Sequence, residues 1–200
     1  MQYPKAVQEL IKWFSTLPTV GPKTAERYVF YLLRQRGDDM QKFAQSLAEL
    51  KEKTITCKTC LAIADTNPCD ICANSKRDKK TLSIVATTRD LISIERTRQY
   101  NGLYHVLGGL LDAVNNIGPK QLNIKPLLDK IKKNQVKEII LSLNPTLEGE
   151  TTSMYLTKSV KKLFPKIKIT RLAKGLPMGA DLEYADDQTI KNALKFRNEV

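Results

Sequence analysis

The sequence predicts a multi-part α+β protein: a helical head, a small cysteine module, an α/β body with a mainly parallel sheet, and a C-terminal arm ending in a helix. Three observations carry this. Apolar residues recur at helical spacing through the first 55 residues, all four cysteines fall between positions 57 and 72, and short β-type runs alternate with helical stretches beyond residue 80. The expected boundaries follow these shifts in pattern: 1–55, 56–78, 79–174 and 175–200.

In the head, Val7, Leu10, Ile11 and Phe14 recur at i, i+3, i+4 and i+7, with Trp13 beside that stripe. After the break Leu17-Pro18-Thr19-Val20-Gly21-Pro22, a second apolar face runs through Ala25, Tyr28, Val29, Leu32 and Leu33. A third, Phe43, Leu47 and Leu50, follows the Gly37-Asp38-Asp39 turn. Trp13 and the aromatics of these stripes are assigned to the core.

The break between the first two stripes has a chemistry of its own. Gly21 permits a tight reversal and a close approach of backbone to a ligand. Pro22 suits the first turn of a helix whose free N–H groups attract anions. Lys23 and Arg27, four apart, project from one face of that helix. This is the arrangement of a helix-hairpin-helix element, which grips a phosphodiester backbone without reading bases; a plain helix–helix connection uses the same residue types.

The cysteines read Cys57-x-x-Cys60-x8-Cys69-x-x-Cys72. Two such knuckles can enclose one tetrahedral Zn²⁺, although the eight-residue gap is shorter than the common spacing of about 15–20. Lys58, Lys76, Arg77, Lys79 and Lys80 flank them and favour thiolates. The alternatives are two disulfides or four free thiols. No basic segment followed by an apolar core opens the chain, so a reducing cytoplasm is expected and disulfides are disfavoured. Four closed ligands make the expected zinc structural, and a module this small should unfold without it.

The α/β body is expected from strands at 82–86, 103–107, 139–143 and 167–169, with a helix at 151–163; the chain closes with a helix at 188–196. His105, the only histidine, lies in a β-type run, away from any nucleophile, and is expected to be packed or weakly exposed. Asn144–Glu150 follows the third strand, at the strand end where α/β folds bind ligands. Glu148 and Glu150 there suit Mg²⁺, the dipole of the next helix, or a protein partner. The glycines of 175–184 lack the Lys-Ser/Thr of a phosphate loop.

Lys and Arg total 33 against 21 Asp and Glu, a net charge of +12. Residues 1–80 contribute +5 and residues 81–200 contribute +7, so no single tail carries the excess. A distributed attraction for polyanions follows. The 42% hydrophobic content excludes a disordered basic tail, and no apolar stretch approaches the ~18 residues of a membrane span.

Taken in order, these pieces resemble the bacterial recombination mediator family RecR over nearly the whole chain. The resemblance runs through Leu17-Pro18-x-x-Gly21-Pro22-Lys23-Thr24-Ala25-x-Arg27, the four cysteines, Ile94-Glu95-x-Thr97 and Tyr100-x-Gly102-Leu103-Tyr104-His105-Val106-Leu107. It continues in Asn144-Pro145-Thr146-x-Glu148-Gly149-Glu150, Thr170-Arg171-Leu172-Ala173-x-Gly175-Leu176-Pro177 and Asp181-Leu182-Glu183-Tyr184.

It implies a helix-hairpin-helix head, a four-cysteine zinc finger, a Toprim domain and a C-terminal arm. It also implies a homotetrameric ring around DNA and action with RecO, in one branch also RecF, to load RecA on single-stranded DNA. Lys23 and Arg27 match DNA-contacting positions, with Gly21 and Thr24 beside them. Glu148 and Glu150 match an acidic loop used for partner contact and metal. Two departures remove metal ligands: Ala86-Thr87-Thr88 replaces a glutamate after the first Toprim strand, and Asn144 and Thr146 stand for an Asp-x-Asp pair. Thr19-Val20 also replaces the more usual Gly-Ile in the hairpin.

The reading adopted is a non-enzymatic DNA-binding mediator, without membrane association, acting in DNA repair at the nucleoid. The alternatives are a Mg²⁺-dependent Toprim enzyme using Glu148 and Glu150, and a zinc-containing adaptor whose main partner is protein.

Overall fold

Two prolines mark where the helical head begins its turns. In a computed structural model of the chain, which describes residues 2–197, Pro4 precedes helix α1 (Lys5–Phe14) and Pro22 is the first residue of α2 (Pro22–Leu32). Proline's fixed φ suits that position, and its missing N–H has no helical partner to lose there. α3 (Gly37–Glu49) follows, with Asp38 and Asp39 in its first turn complementing the helix dipole. These helices lie in the first of two compact units, Met1–Thr54 and Ile55–Val200.

In the first unit α1 packs on α2, burying Val7, Ala25 and Val29. Edge-to-face ring pairs, Tyr3–Phe30 at 5.3 Å and Phe14–Tyr28 at 5.8 Å, flank this seam. The assignment of Trp13 and the stripe aromatics to the core is corrected here. Trp13 is 72% exposed, Tyr28 and Phe43 are exposed, and α3 buries no residue. One seam between two short helices covers a narrow stripe, and these helices carry more apolar residues than that stripe accommodates.

The turn between α1 and α2 also differs from expectation. The left-handed residue is Thr19, at φ 66°, whereas Gly21 is extended at φ −82° and caps α2.

The second unit opens with the cysteine module: strands β1 (Ile55–Thr56) and β2 (Ile63–Ala64), paired antiparallel, and a single turn, α4 (Asp70–Ala73). The α/β body follows as β3 (Asp78–Val85), α5 (Thr88–Arg96), β4 (Gly102–Val106), α6 (Ile124–Asn134), β5 (Glu138–Leu141), α7 (Leu147–Leu163) and β6 (Lys168–Arg171). Its sheet is wholly parallel, in the order β4-β3-β5-β6. The core packs Leu82, Ile84, Ile139 and Leu141 of the sheet against Leu127 and Ile131 of α6 and Leu156 and Val160 of α7. Helices on a parallel sheet cover the apolar faces that its strands present.

α7 begins four residues earlier than expected. Thr146 caps it, accepting the Gly149 amide at 3.2 Å, so the expected acidic loop is helical from Leu147. Gly149 is required there, because a Cβ would collide with the carbonyl oxygen of Asn144. A short 3₁₀ turn, Leu182–Tyr184, and α8 (Asp187–Lys195) complete the arm; Asp186 caps α8 through Thr189, and α8 buries no residue. Residues 198–200 of the expected C-terminal region lie outside the described residues.

Candidate metal centre and nucleic-acid interface

The two cysteine knuckles are built by local backbone geometry. The Cys57 amide donates to the Ala62 carbonyl at 2.8 Å, and Leu61, left-handed at φ 65°, donates its amide to the Cys57 carbonyl at 2.8 Å. Cys69 caps α4, and its amide donates to the Cys57 sulfur at 3.5 Å. The four Sγ atoms all lie within 4.8 Å of one another, and Cys60 and Cys69 approach to 3.6 Å. A tetrahedral ion with bonds of about 2.3 Å needs sulfurs roughly 3.8 Å apart, so the cluster can hold a metal ion.

Protonation of the cluster points the same way. The Cys60 thiol falls to about 5 because Cys72 donates a hydrogen bond to it, despite its burial. Cys72 is pushed up by keeping that proton, and by burial. Left alone, the cluster concentrates negative charge on one sulfur while a neighbour keeps its proton; four thiolates require a bound cation.

The flanking cations expected to favour thiolates are arranged differently. Arg77 forms a two-pronged contact with Glu95 and donates to the Gly102 carbonyl at 3.2 Å, while Lys58, Lys76, Lys79 and Lys80 are exposed. The buried cation is Lys130 of α6, which sequence reasoning missed. Its ammonium donates to the Tyr104 carbonyl at 2.6 Å and to the Thr59 carbonyl, between Cys57 and Cys60, at 3.1 Å. Burial lowers its pKa, while the cysteine sulfurs raise it. Cys57, Cys60 and Cys69 share a core with Val85, Leu91, Tyr104 and Val106, so the module is fused to the sheet. The Val106 amide donates to the Cys60 carbonyl at 2.8 Å, which locks β4 to the first knuckle.

In the head, α2 has no side-chain cap. Pro22 lacks an N–H, which leaves the Lys23 and Thr24 amides as the free donors of its first turn. A Cβ on Gly21 would meet nothing within 4 Å, so the approach to these amides is open. Lys23 and Arg27 line one groove, of about 870 Å³, with Tyr31 and Arg34. The latter two were missed; their spacing from Lys23, i+8 and i+11, continues the same helical face.

At the carboxyl ends of the strands, Thr87 caps α5, and its hydroxyl and amide both bond to Asp90 at 2.8 Å. Across a cleft of about 340 Å³, Glu150 is paired with Arg171 at 3.0 Å and with Lys174. Lys174, then Arg171, holds its carboxyl below the usual range against a small cost of burial. Glu148 lies elsewhere, in a groove with Leu147, Thr151 and the 111–119 loop. Two residues apart on a helix means ~200° of rotation, so the two glutamates do not face one cleft. His105 is fully buried, its Nε2 2.8 Å from the Asn123 carbonyl oxygen.

A helical hairpin, a four-cysteine cluster and a parallel α/β domain make up a multi-part protein, and the family match places its α/β body in the Toprim class. Residues 80–173 match the Toprim domain, residues 7–51 the RecR helix-hairpin-helix, and residues 175–198 the RecR C-terminal region. The chain is 46% identical over 200 residues to recombination protein RecR of Bifidobacterium animalis subsp. lactis, covering 100% of this chain and 99% of that one. It is 47% identical over 198 residues to that of Gloeobacter violaceus, 99% and 100% covered, and 44% identical over 200 residues to that of Staphylococcus haemolyticus, fully covered on both sides. The chain belongs to the RecR family. No helix among the described residues is long and apolar enough to cross a membrane.

Proposed function

We propose that this protein is a non-enzymatic DNA-binding mediator of recombinational repair, acting with RecO, and with RecF where present, to load RecA onto single-stranded DNA. The observation that carries the reading is the start of α2, where Lys23 and Arg27 flank the free amides of Lys23 and Thr24 beside the open side of Gly21. Backbone donors and cations of this kind grip phosphates of single- or double-stranded DNA without base preference. Family membership and the net charge of +12 support it. A nucleoid setting within the cytoplasm follows from that role.

We infer that the metal is zinc and its role structural: four cysteine sulfurs within 4.8 Å of one another can supply all four ligands of a tetrahedral ion, which leaves no position for substrate. A homotetrameric ring is supported by the apolar side chains each unit leaves exposed, Trp13 and Leu47 in the head and Leu182 and Tyr184 in the arm. Glu148 and Glu150 serve partner contact; the Mg²⁺-enzyme reading is disfavoured because Glu150 is already paired twice.

The test is fluorescence anisotropy with labelled single-stranded and duplex DNA over a range of salt. Lys23→Glu with Arg27→Glu should weaken binding to both and flatten its salt dependence, by about 1.4 in slope on single strands for two lost phosphate contacts. Unchanged affinity and slope would remove the proposed surface. Cleavage of the DNA with Mg²⁺ that disappears in Glu148→Gln would establish the enzyme instead.

A further inference from the structure

At the opposite end of the sheet, lysines stand at or beside the starts of three neighbouring strands: Lys79 and Lys80 near the start of β3, Lys137 just before β5, and Lys166 and Lys168 at the start of β6. The Lys137 amide donates to the Lys80 carbonyl at 2.8 Å, and the Lys168 amide to the Lys137 carbonyl at 2.9 Å. Lys80 and Lys137 therefore stand side by side on β3 and the start of β5, about 4.8 Å apart across the strands, while Lys168 is level with Glu138, one residue out of that line. Beside them lies a groove of about 670 Å³. Its floor is Ile131, Val136, Phe164 and Ile167, and Lys132, Lys137 and Lys166 stand on its rim.

The groove is shaped where α6 ends in the left-handed residue Gln135, at φ 51°, and the chain turns into β5. Lys168 is paired with Glu138 at 3.2 Å. Among the described residues, no carboxylate lies within 4.0 Å of the ammonium of Lys79, Lys80, Lys132, Lys133, Lys137 or Lys166. All six are exposed.

Lys132 and Lys133 offset the dipole at the end of α6. That account does not reach Lys79 and Lys80 on β3, or Lys137 and Lys166 in the turns before β5 and β6. Asp78 and Glu138 stand on the same edge but are outnumbered by the lysines, so the excess positive charge repels itself, and a polyanion reverses the sign of that cost. Lys80 and Lys137 on adjacent strands, with Lys132 and Lys166 on either side of the groove, spread the cations over an extended surface, which suits a chain of phosphates better than one compact anion. The apolar floor narrows the choice further. A duplex offers it only backbone, whereas a single strand offers an unstacked base face.

We infer that this groove is a second nucleic-acid surface, in which the lysines hold the phosphodiester backbone of a single strand while a base lies against the apolar floor. The inference rests on the DNA-binding reading above and assigns it a face whose residues lie far in sequence from Lys23 and Arg27.

The experiment uses the full chain and a fluorescein-labelled oligothymidylate, with anisotropy followed against salt. Lys132→Glu/Lys137→Glu/Lys166→Glu should lower the slope of log affinity against log salt by about 2, from three contacts at roughly 0.7 each, and weaken binding roughly 50-fold near 0.15 M salt. Lys132→Gln/Lys137→Gln/Lys166→Gln should lower the slope equally with a smaller loss of affinity, and it guards against misfolding of the reversed variant. A wild-type slope in both, with Lys23→Glu/Arg27→Glu still impaired, overturns the groove and leaves the hairpin reading standing. If the wild-type chain itself fails to bind the oligonucleotide, the parent reading fails. A labelled oligoglutamate peptide with aromatic residues is the competing probe. Loss of its binding alone in the lysine variants would make the groove a protein site and overturn the inference.

Discussion

Lys130 joins three parts of the second unit through one side chain, and its replacement by methionine tests how far the metal module depends on the sheet. Its ammonium is buried and bonded to the carbonyls of Thr59 and Tyr104, at 3.1 and 2.6 Å. A hydrogen bond from a charged donor contributes about 1.5–3 kcal/mol, so the two together amount to roughly 3–6 kcal/mol. Methionine also removes the cost of burying an ammonium, which returns part of this. The net loss is about 2–3 kcal/mol, or roughly 5–10 °C in melting temperature for a unit of this size. The cationic neighbour of the thiolates is lost as well, so metal should pass faster to a chromophoric chelator. Circular dichroism melts and chelator kinetics on Lys130→Met measure both effects. If the variant melts within about 1 °C of wild type, a shift far below that expected from the lost bonds, and releases metal at the same rate, Lys130 does not tie the module to the sheet.

His105 sits fully buried with its Nδ1 unpartnered, and burial depresses its pKa to about 4 despite the bond at the Asn123 carbonyl. The unfolded chain protonates near 6.5 and the folded chain near 4, so the stability present above pH 6.5 is lost as pH falls toward 4. Between about pH 7 and 4.5 this amounts to about 2–3 kcal/mol; urea unfolding should show that much less acid sensitivity in His105→Gln, and equal pH profiles would refute it. Thr19 occupies the left-handed region at φ 66°, where a β-branched residue is strained by about 1–2 kcal/mol. Thr19→Gly relieves this at a cost of about 0.4–1 kcal/mol in unfolded-chain entropy, so the head should gain up to roughly 1 kcal/mol, read from its melting transition. Removing metal with a strong chelator should lower the main melting transition, since Cys57, Cys60 and Cys69 belong to the core shared with Tyr104 and Val106, and Cys60→Ser should reproduce the loss; a chelator-insensitive melt counts against a structural metal.

The two-residue gaps between cysteines bring them to adjacent positions whatever surrounds them, so a four-cysteine cluster able to hold a metal ion was legible from spacing alone. The parallel sheet was legible for a similar reason: four short apolar runs separated by helical stretches leave few other ways to bury themselves. The hairpin break, with Pro22 starting α2 and Lys23 and Arg27 on one face, follows from helical periodicity. The glutamates were less legible. The capping of α7 by Thr146 moves its start to Leu147, and that shift turns Glu148 and Glu150 to different grooves.

What the sequence determined by itself is what neighbours in the chain encode: the cysteine cluster, the helical and β-type periods, the basic excess and the Gly-Pro-Lys turn that starts α2. Tertiary structure alone decided that Lys130, 70 residues beyond Cys60, is the cluster's buried cation, and that Arg77 is engaged by Glu95. It alone brought lysines 132, 137 and 166 to one groove and set Lys80 beside Lys137. Each of these contacts joins residues distant in sequence, and their meeting depends on strand order and helix packing, which no local pattern of residues specifies.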